Sequence, residues 1–270
     1  MIFQTLIAGT FREAIAKKIF LGFLGISTLI ILIFLFAVNV SSVEGMMNLM
    51  ETSGDNAVRQ VVIGFETFML GVSYLLIITL CLISVSSFIP SMTEKGNIDI
   101  LLSKPVSRAQ IILGKFAGGV LLIFMSMVYL LGTIWLILSI KSGYWHFPFL
   151  YSIFWLTFSF AVIYSFVILI GLLTQSSVLT IIITVFLVFV VTPILGAREE
   201  TIFTFVSSDV VKFILNFFYY ILPKPGHIND ITSAIIKNEA VKTYEPLITS
   251  FLFMLVMLSL SILYFKKKDY

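Results

Sequence analysis

From Ser142 to Ala197 the chain contains no Asp, Glu, Lys or Arg. No soluble domain carries so long a stretch without a charge, because its surface needs polar cover. A bilayer has the opposite requirement. Its hydrocarbon core calls for about 20 predominantly apolar residues per helical crossing. The uncharged stretch is too long for one crossing, and the polar step Thr174-Gln175-Ser176-Ser177 divides it into two.

The rest of the chain fits the same solvent. Hydrophobic residues make up 59% and charged residues 11%, against about 25% charged in an ordinary globular domain. Six spans are predicted, at 19–40, 67–90, 116–140, 149–173, 178–195 and 246–265. The first is too long for a signal-peptide core and no small-residue cleavage site follows it, so it reads as a retained span. The expectation is an all-α integral membrane protein forming one transmembrane domain over 1–270.

Three segments are neither span nor simple loop. Within residues 1–18, Phe3, Leu6, Ile7, Phe11 and Ile15 recur near helical spacing beside Arg12, Glu13, Lys17 and Lys18. That pattern predicts an amphipathic helix in the membrane interface. The outer loop 197–245 holds a short apolar helix opened by Ser208-Asp209 and closed before Pro223, then a second helix starting at Asn229 or Asp230. It is a candidate surface for an extracytoplasmic partner. The third segment is the charged loop 91–115, between spans two and three.

Six spans place both termini on one side. The Lys and Arg residues are denser on the side holding the termini, the 91–115 loop and Lys266-Lys267-Lys268, so that side is read as cytoplasmic. This placement accounts for the net charge of +3 without nucleic-acid binding.

Several chemistries are disfavoured. Cys81 is the single cysteine, His146 and His227 stand far apart, and no HExxH or CxxC is present, so no metal site is expected. No span as drawn contains an acidic or basic residue, which argues against an ion-coupled carrier and against an intramembrane hydrolase built on paired carboxylates. Ser84, Ser86, Ser87 and Ser126 lack a candidate base in sequence and read as packing residues. The one Gly-Lys pair, Gly114-Lys115, is followed by Phe116, so there is no phosphate-binding loop. No catalytic residue is assigned. Any ATP and Mg would be bound by another polypeptide.

The 91–115 loop has its own physics. Gly96 interrupts the helix leaving span two, Ile98, Leu101 and Leu102 form a short apolar patch, Pro105 breaks the backbone again, and Ser107 can cap the helix entering span three. An apolar turn with a basic rim suits docking of a partner protein, or packing against lipid headgroups. The run "EKGNIDILLSKPVSRAQIILGK" resembles the signature of type-2 ABC transporter permeases of the NosY-like group, at Glu94, Gly96, Leu101, Leu102, Pro105, Val106, Ser107, Arg108, Gly114 and Lys115. Asn97 stands where that group commonly has Thr.

The resemblance implies a permease subunit of an ATP-driven transporter, expected to be an exporter, in a bacterial or archaeal cell membrane. Glu94, Gly96, Ile98, Leu101, Leu102, Pro105, Arg108 and Lys115 would form a coupling helix seated on a separate ABC ATPase subunit. A second permease chain, identical or not, would complete the path. Gly114 and Gly118, a GxxxG pair at the start of span three, would permit close helix packing. Three other readings stay open on the residues alone: a lipid-processing membrane enzyme, an ion-coupled carrier, and a non-transporting assembly factor.

Overall fold

The computed structural model describes residues 2–16, 18–39, 55–86, 107–206 and 208–268. Among the described residues every regular element is helical: α1 (Ile2–Ala16), α2 (Ile19–Asn39), α3 (Asp55–Ser86), α4 (Arg108–Ser142), α5 (Tyr151–Thr174), α6 (Ser177–Phe186), α7 (Thr192–Gly196), α8 (Asp209–Ile221), α9 (Pro225–Lys237) and α10 (Glu245–Lys267). A 3₁₀ turn, Phe147–Leu150, leads into α5, and a π-helical turn, Leu187–Val191, joins α6 to α7.

Four of the described helical stretches are long and apolar enough to cross a membrane: Arg108–Ser142, Phe147–Thr174, Ser177–Gly196 and Glu245–Lys267. The bent pair Ile7–Ala16 and Phe20–Phe36 supplies a fifth if counted as one span. The expected second span, 67–90, leaves the described residues after Ser86. Its helix starts at Asp55, ahead of the expected span.

α5 lies at the centre of the bundle. It buries Ile153, Leu156, Thr157, Ser159, Phe160, Ala161, Val162 and Ser165, positions that go all the way round the helix. A helix apolar on every side belongs inside. Around it, α4, α6 and α10 each bury one side and expose the other. Leu121, Val128 and Leu136 on α4, Val178, Ile182 and Phe186 on α6, and Leu252, Leu255 and Val256 on α10 are among the exposed apolar residues. In a bilayer that surface meets acyl chains, and burying it offers no hydrophobic gain.

Chain breaks follow local chemistry. α4 opens with a capping box: Ser107 Oγ accepts from Gln110 N, and Gln110 Oε1 accepts from Ser107 N. It ends at Gly143, whose φ of 69° lies in the left-handed region that glycine adopts without penalty. The polar step after α5 is a tight turn. Gln175 ends α5 in a left-handed conformation and Ser176 caps α6.

α1 meets α2 at 70°, through Lys18 with φ 56°. This bend suits a helix lying in the interface before one that crosses. The inward face of α1 differs from its apolar stripe. Thr10 and Ala14 are buried, while Ile15 stays exposed. Small residues allow α1 to approach α4 closely, and the larger apolar Ile15 is left facing outward.

In the 197–245 loop, α8 begins at Asp209 as expected, but Ser208 makes no side-chain cap. α9 starts at Pro225, four or five residues before the predicted Asn229 or Asp230. Proline fits the first turn of a helix, since its missing N–H would have no partner there and its φ is already helical. The break therefore sits at Leu222–Lys224, and Pro225 initiates the next helix.

Candidate functional site

The N-terminal end of α4 is tied to two distant parts of the chain. Arg108 Nη1 lies 2.9, 3.2 and 2.6 Å from the carbonyl oxygens of Phe265, Lys266 and Lys268. The last carbonyls of a helix have no partner within it. Here the guanidinium supplies one, and its positive charge complements the negative end of the α10 dipole. The Arg108 guanidinium also stands 5.9 Å from the centre of the Phe265 ring.

About two helical turns further on, Lys115 forms an ion pair with Glu13 of α1. Gly118 then meets α1 directly. A Cβ built on Gly118 would lie 2.6 Å from Thr10 Cβ, and one on Gly119 would run into the Tyr164 ring. Tyr164 donates its hydroxyl hydrogen to the Lys115 carbonyl at 3.3 Å and stacks between Phe116 and Phe160, with ring centres at 5.8 and 5.3 Å. The first three turns of α4 thus join α1, α5 and the end of α10 into one block.

The opposite end of the bundle has two polar clusters. In the first, Glu66 of α3 pairs with His146 through Oε2 and Nδ1, 2.5 Å apart, both side chains at most 3% exposed. Asn238, at the C-terminus of α9, lies 3.5 Å from His146 Nε2. Trp135 Nε1–H donates to the His146 carbonyl at 3.0 Å and packs edge-on against Trp145. Indoles with one apolar and one wet end favour membrane–water boundaries.

In the second cluster, two cations lie over the Tyr219 ring: Arg198 at 3.3 Å and the Lys224 ammonium at 4.0 Å from its centre. Arg198 also donates from Nε to Asn216 at 2.7 Å and from Nη2 to Glu199 at 2.7 Å. Lys224 Nζ donates to Glu245 at 2.8 Å. Burial lowers the Lys224 pKa, with Glu245 opposing that shift. Burial raises the Tyr219 pKa, with Arg198 opposing it.

The model of the ABC-2 family transporter proteins matches residues 5–270. The chain belongs to that family. A comparison with curated proteins finds no match. An ABC-2 permease is the membrane subunit of an ABC transporter, so the all-helical, lipid-facing bundle is an integral membrane transport subunit.

Of the residues the sequence assigns to ATPase coupling, Glu94, Gly96, Ile98, Leu101, Leu102 and Pro105 lie outside the described residues. Arg108 and Lys115 are described, and both are engaged within the chain, at α10 and α1. Gly114 is buried on α4, and Gly118 faces Thr10. Among the described residues no group of three His, Cys, Asp or Glu is placed to hold a metal.

The Glu66–His146 pair was not visible in the sequence. The residues are 80 positions apart, and a lone His in an outer turn carries no pairing signal. The stacking of Arg198 and Lys224 on Tyr219 was equally hidden, although an aromatic-rich α8 beside a Lys-Pro break hinted at an aromatic platform.

Proposed function

We propose that this ABC-2 permease works as one of a pair of such chains in an exporter, driven by a separate ATPase that docks on the 91–115 loop. The observation that supports the reading is the tie between Arg108 and the end of α10, beside the Lys115–Glu13 pair. A force applied to the loop just before Ser107 would reach α4, α10 and α1 together, because these are fastened within three turns of the α4 start. ATP binding and hydrolysis on the partner would bias a two-state equilibrium of the permease pair. Both termini would face the cytoplasm, and ATP and Mg would be bound by the partner.

The test is reconstitution. Purified alone, the chain is expected to hydrolyse no ATP. With its cognate ATPase it forms a complex of two permeases and two ATPases, and deletion of Ile98 to Leu102 dissociates it. Glu94→Lys is the cleaner point variant, reaching the membrane in normal amounts and losing ATP-driven transport. Solute movement by the isolated chain on an ion gradient would replace this reading with a carrier.

A further inference from the structure

A cleft of about 350 Å³ opens at the outer end of the bundle, between α3, the α6–α7 stretch and the hairpin of α8 and α9. The volume falls in the range of small-molecule sites, about 300–1,000 Å³. Its walls are graded. Ile78 on α3 and Val188 on the π turn lie deepest, by their place along helices whose outer ends are Asp55 and Gly196. Leu75, Phe189 and Leu222 continue the apolar lining. Lys224, His227 and Asp230 line the other end.

Two further features define the site. The backbone of the deep wall is locally rewound. Pro193 cannot donate a backbone hydrogen bond, the Thr192 N–H reaches back to the Leu187 carbonyl, and Thr192 Oγ–H donates to the Val188 carbonyl at 2.8 Å. Such π turns occur often at functional sites. The apolar side of the cleft is also continuous with the lipid-facing surface: Leu75, Phe189 and Val190 are 56%, 42% and 40% exposed. An occupant can therefore enter sideways from the bilayer without crossing water.

We propose that this cleft binds one chain of a zwitterionic membrane amphiphile from the outer leaflet, with the tail along Ile78, Val188 and Phe189 and the head between Lys224 and Asp230. The head end carries one buried cation, Lys224, paired with Glu245, and the exposed carboxylate of Asp230, 3.6 Å from His227 Nδ1. That pairing of signs suits a head with both charges and disfavours a head of strong single charge.

The test uses the full chain in nanodiscs of phosphatidylcholine containing a phosphatidylcholine with a photoreactive group at the end of one acyl chain. No ATPase is present, so the result is independent of the transport reading. Crosslinks are expected to concentrate on peptides holding Ile78 and Val188–Phe189. Filling the cleft with Val188→Trp is expected to lower that labelling roughly tenfold, equivalent to about 1.4 kcal/mol, while labelling of Leu252 and Val256 on the lipid face of α10 is unchanged. Leu222→Trp fills the cleft from the hairpin and is expected to act alike, so misfolding of one variant leaves the other to decide. Even labelling of the cleft and the α10 face, unaffected by either substitution, would overturn the proposal. So would equal displacement of the label by phosphatidylglycerol, whose head carries a single negative charge.

Discussion

Arg108 Nη1 lies 2.9 Å from the carbonyl oxygen of Phe265, joining the first residue of α4 to the last turn of α10 across 157 positions. The two hydrogens on that nitrogen are shared among three carbonyls, so the contact works as a collar on the helix end more than as one directed bond. Lysine can keep the charge and lose the planar geometry. Arg108→Met is expected to destabilise the detergent-solubilised protein by about 1–3 kcal/mol, the cost of charged hydrogen bonds lost where their acceptors are partly buried. Arg108→Lys should recover part of this, as read by thermal unfolding. Arg108→Glu sets a carboxylate against three carbonyls and should lower the amount reaching the membrane. This departs from a purely docking role, in which that variant would accumulate normally.

The meeting of α1 and α4 predicts a rescue. Gly118→Ala places a Cβ against Thr10 Cβ, which is attached directly to the α1 backbone and cannot swing away. Overpacking of this kind costs about 1–3 kcal/mol. Thr10→Gly removes the opposing atoms, so the double variant should be more stable than Gly118→Ala alone. Additive losses in a double-mutant cycle would mean that the two residues do not touch.

Where the sequence was legible, a strong local signal was present. The uncharged runs fixed the positions of α4, α5, α6–α7 and α10 to within a few residues outside the α4 start, because solvent alone demands them. Ser107 and Gln175 mark breaks for local backbone reasons. What stayed hidden depends on the third dimension. Glu66 ends an outer loop by charge count, yet it is the buried partner of His146 on a helix that continues outward to Asp55. Arg108 reads as a loop cation until α10 ends beside it. The α1 stripe predicted the helix but not its inward face, since Thr10 and Ala14 are chosen by the closeness of Gly118 and not by hydrophobicity.

We expect both termini to face the cytoplasm. Cys81→Ser removes the native thiol. In that background Ala240→Cys, in the exposed turn after α9, should react in intact cells with an impermeant thiol reagent. Lys267→Cys, at the exposed end of α10, should react only after the membrane is opened. The reverse pattern would invert the orientation drawn from the Lys and Arg distribution.

Lys224 and Glu245 should respond unequally to neutralisation. The Lys224 side chain is 3% exposed and that of Glu245 is 42% exposed. Removing the acid strands a buried cation, whereas removing the lysine leaves a carboxylate that water can reach. Glu245→Gln should therefore destabilise the α8–α9 hairpin more than Lys224→Met does, as measured by hydrogen exchange of α9. The pH response has a definite sign. Lys224 has a folded pKa below its ordinary 10.5. It then binds fewer protons folded than unfolded, so stability rises with pH from the folded pKa up to about 10.5. Glu245→Gln removes an influence that raises the folded pKa and should widen that window downward.

The Glu66–His146 pair permits the sharpest test of what closes the outer end. It joins α3 to the turn before α5, and Asn238 brings in the end of α9. Both side chains are almost fully buried, and the second Glu66 oxygen has no protein partner among the described residues. Two effects compete. The pair holds three segments together, but each group lost hydration on burial. Breaking a buried pair on one side leaves the other group unsatisfied and costs about 3–5 kcal/mol, whereas replacing both by apolar residues of similar volume is often nearly neutral. Glu66→Leu and His146→Leu are each expected to lower the unfolding temperature clearly, and Glu66→Leu/His146→Leu to recover most of the loss. The Trp135 bond goes to the His146 backbone carbonyl and survives every variant, so the outer turn keeps one anchor throughout. If the double variant is as unstable as the sum of the singles, the two side chains act independently and the buried pair is not what joins the segments.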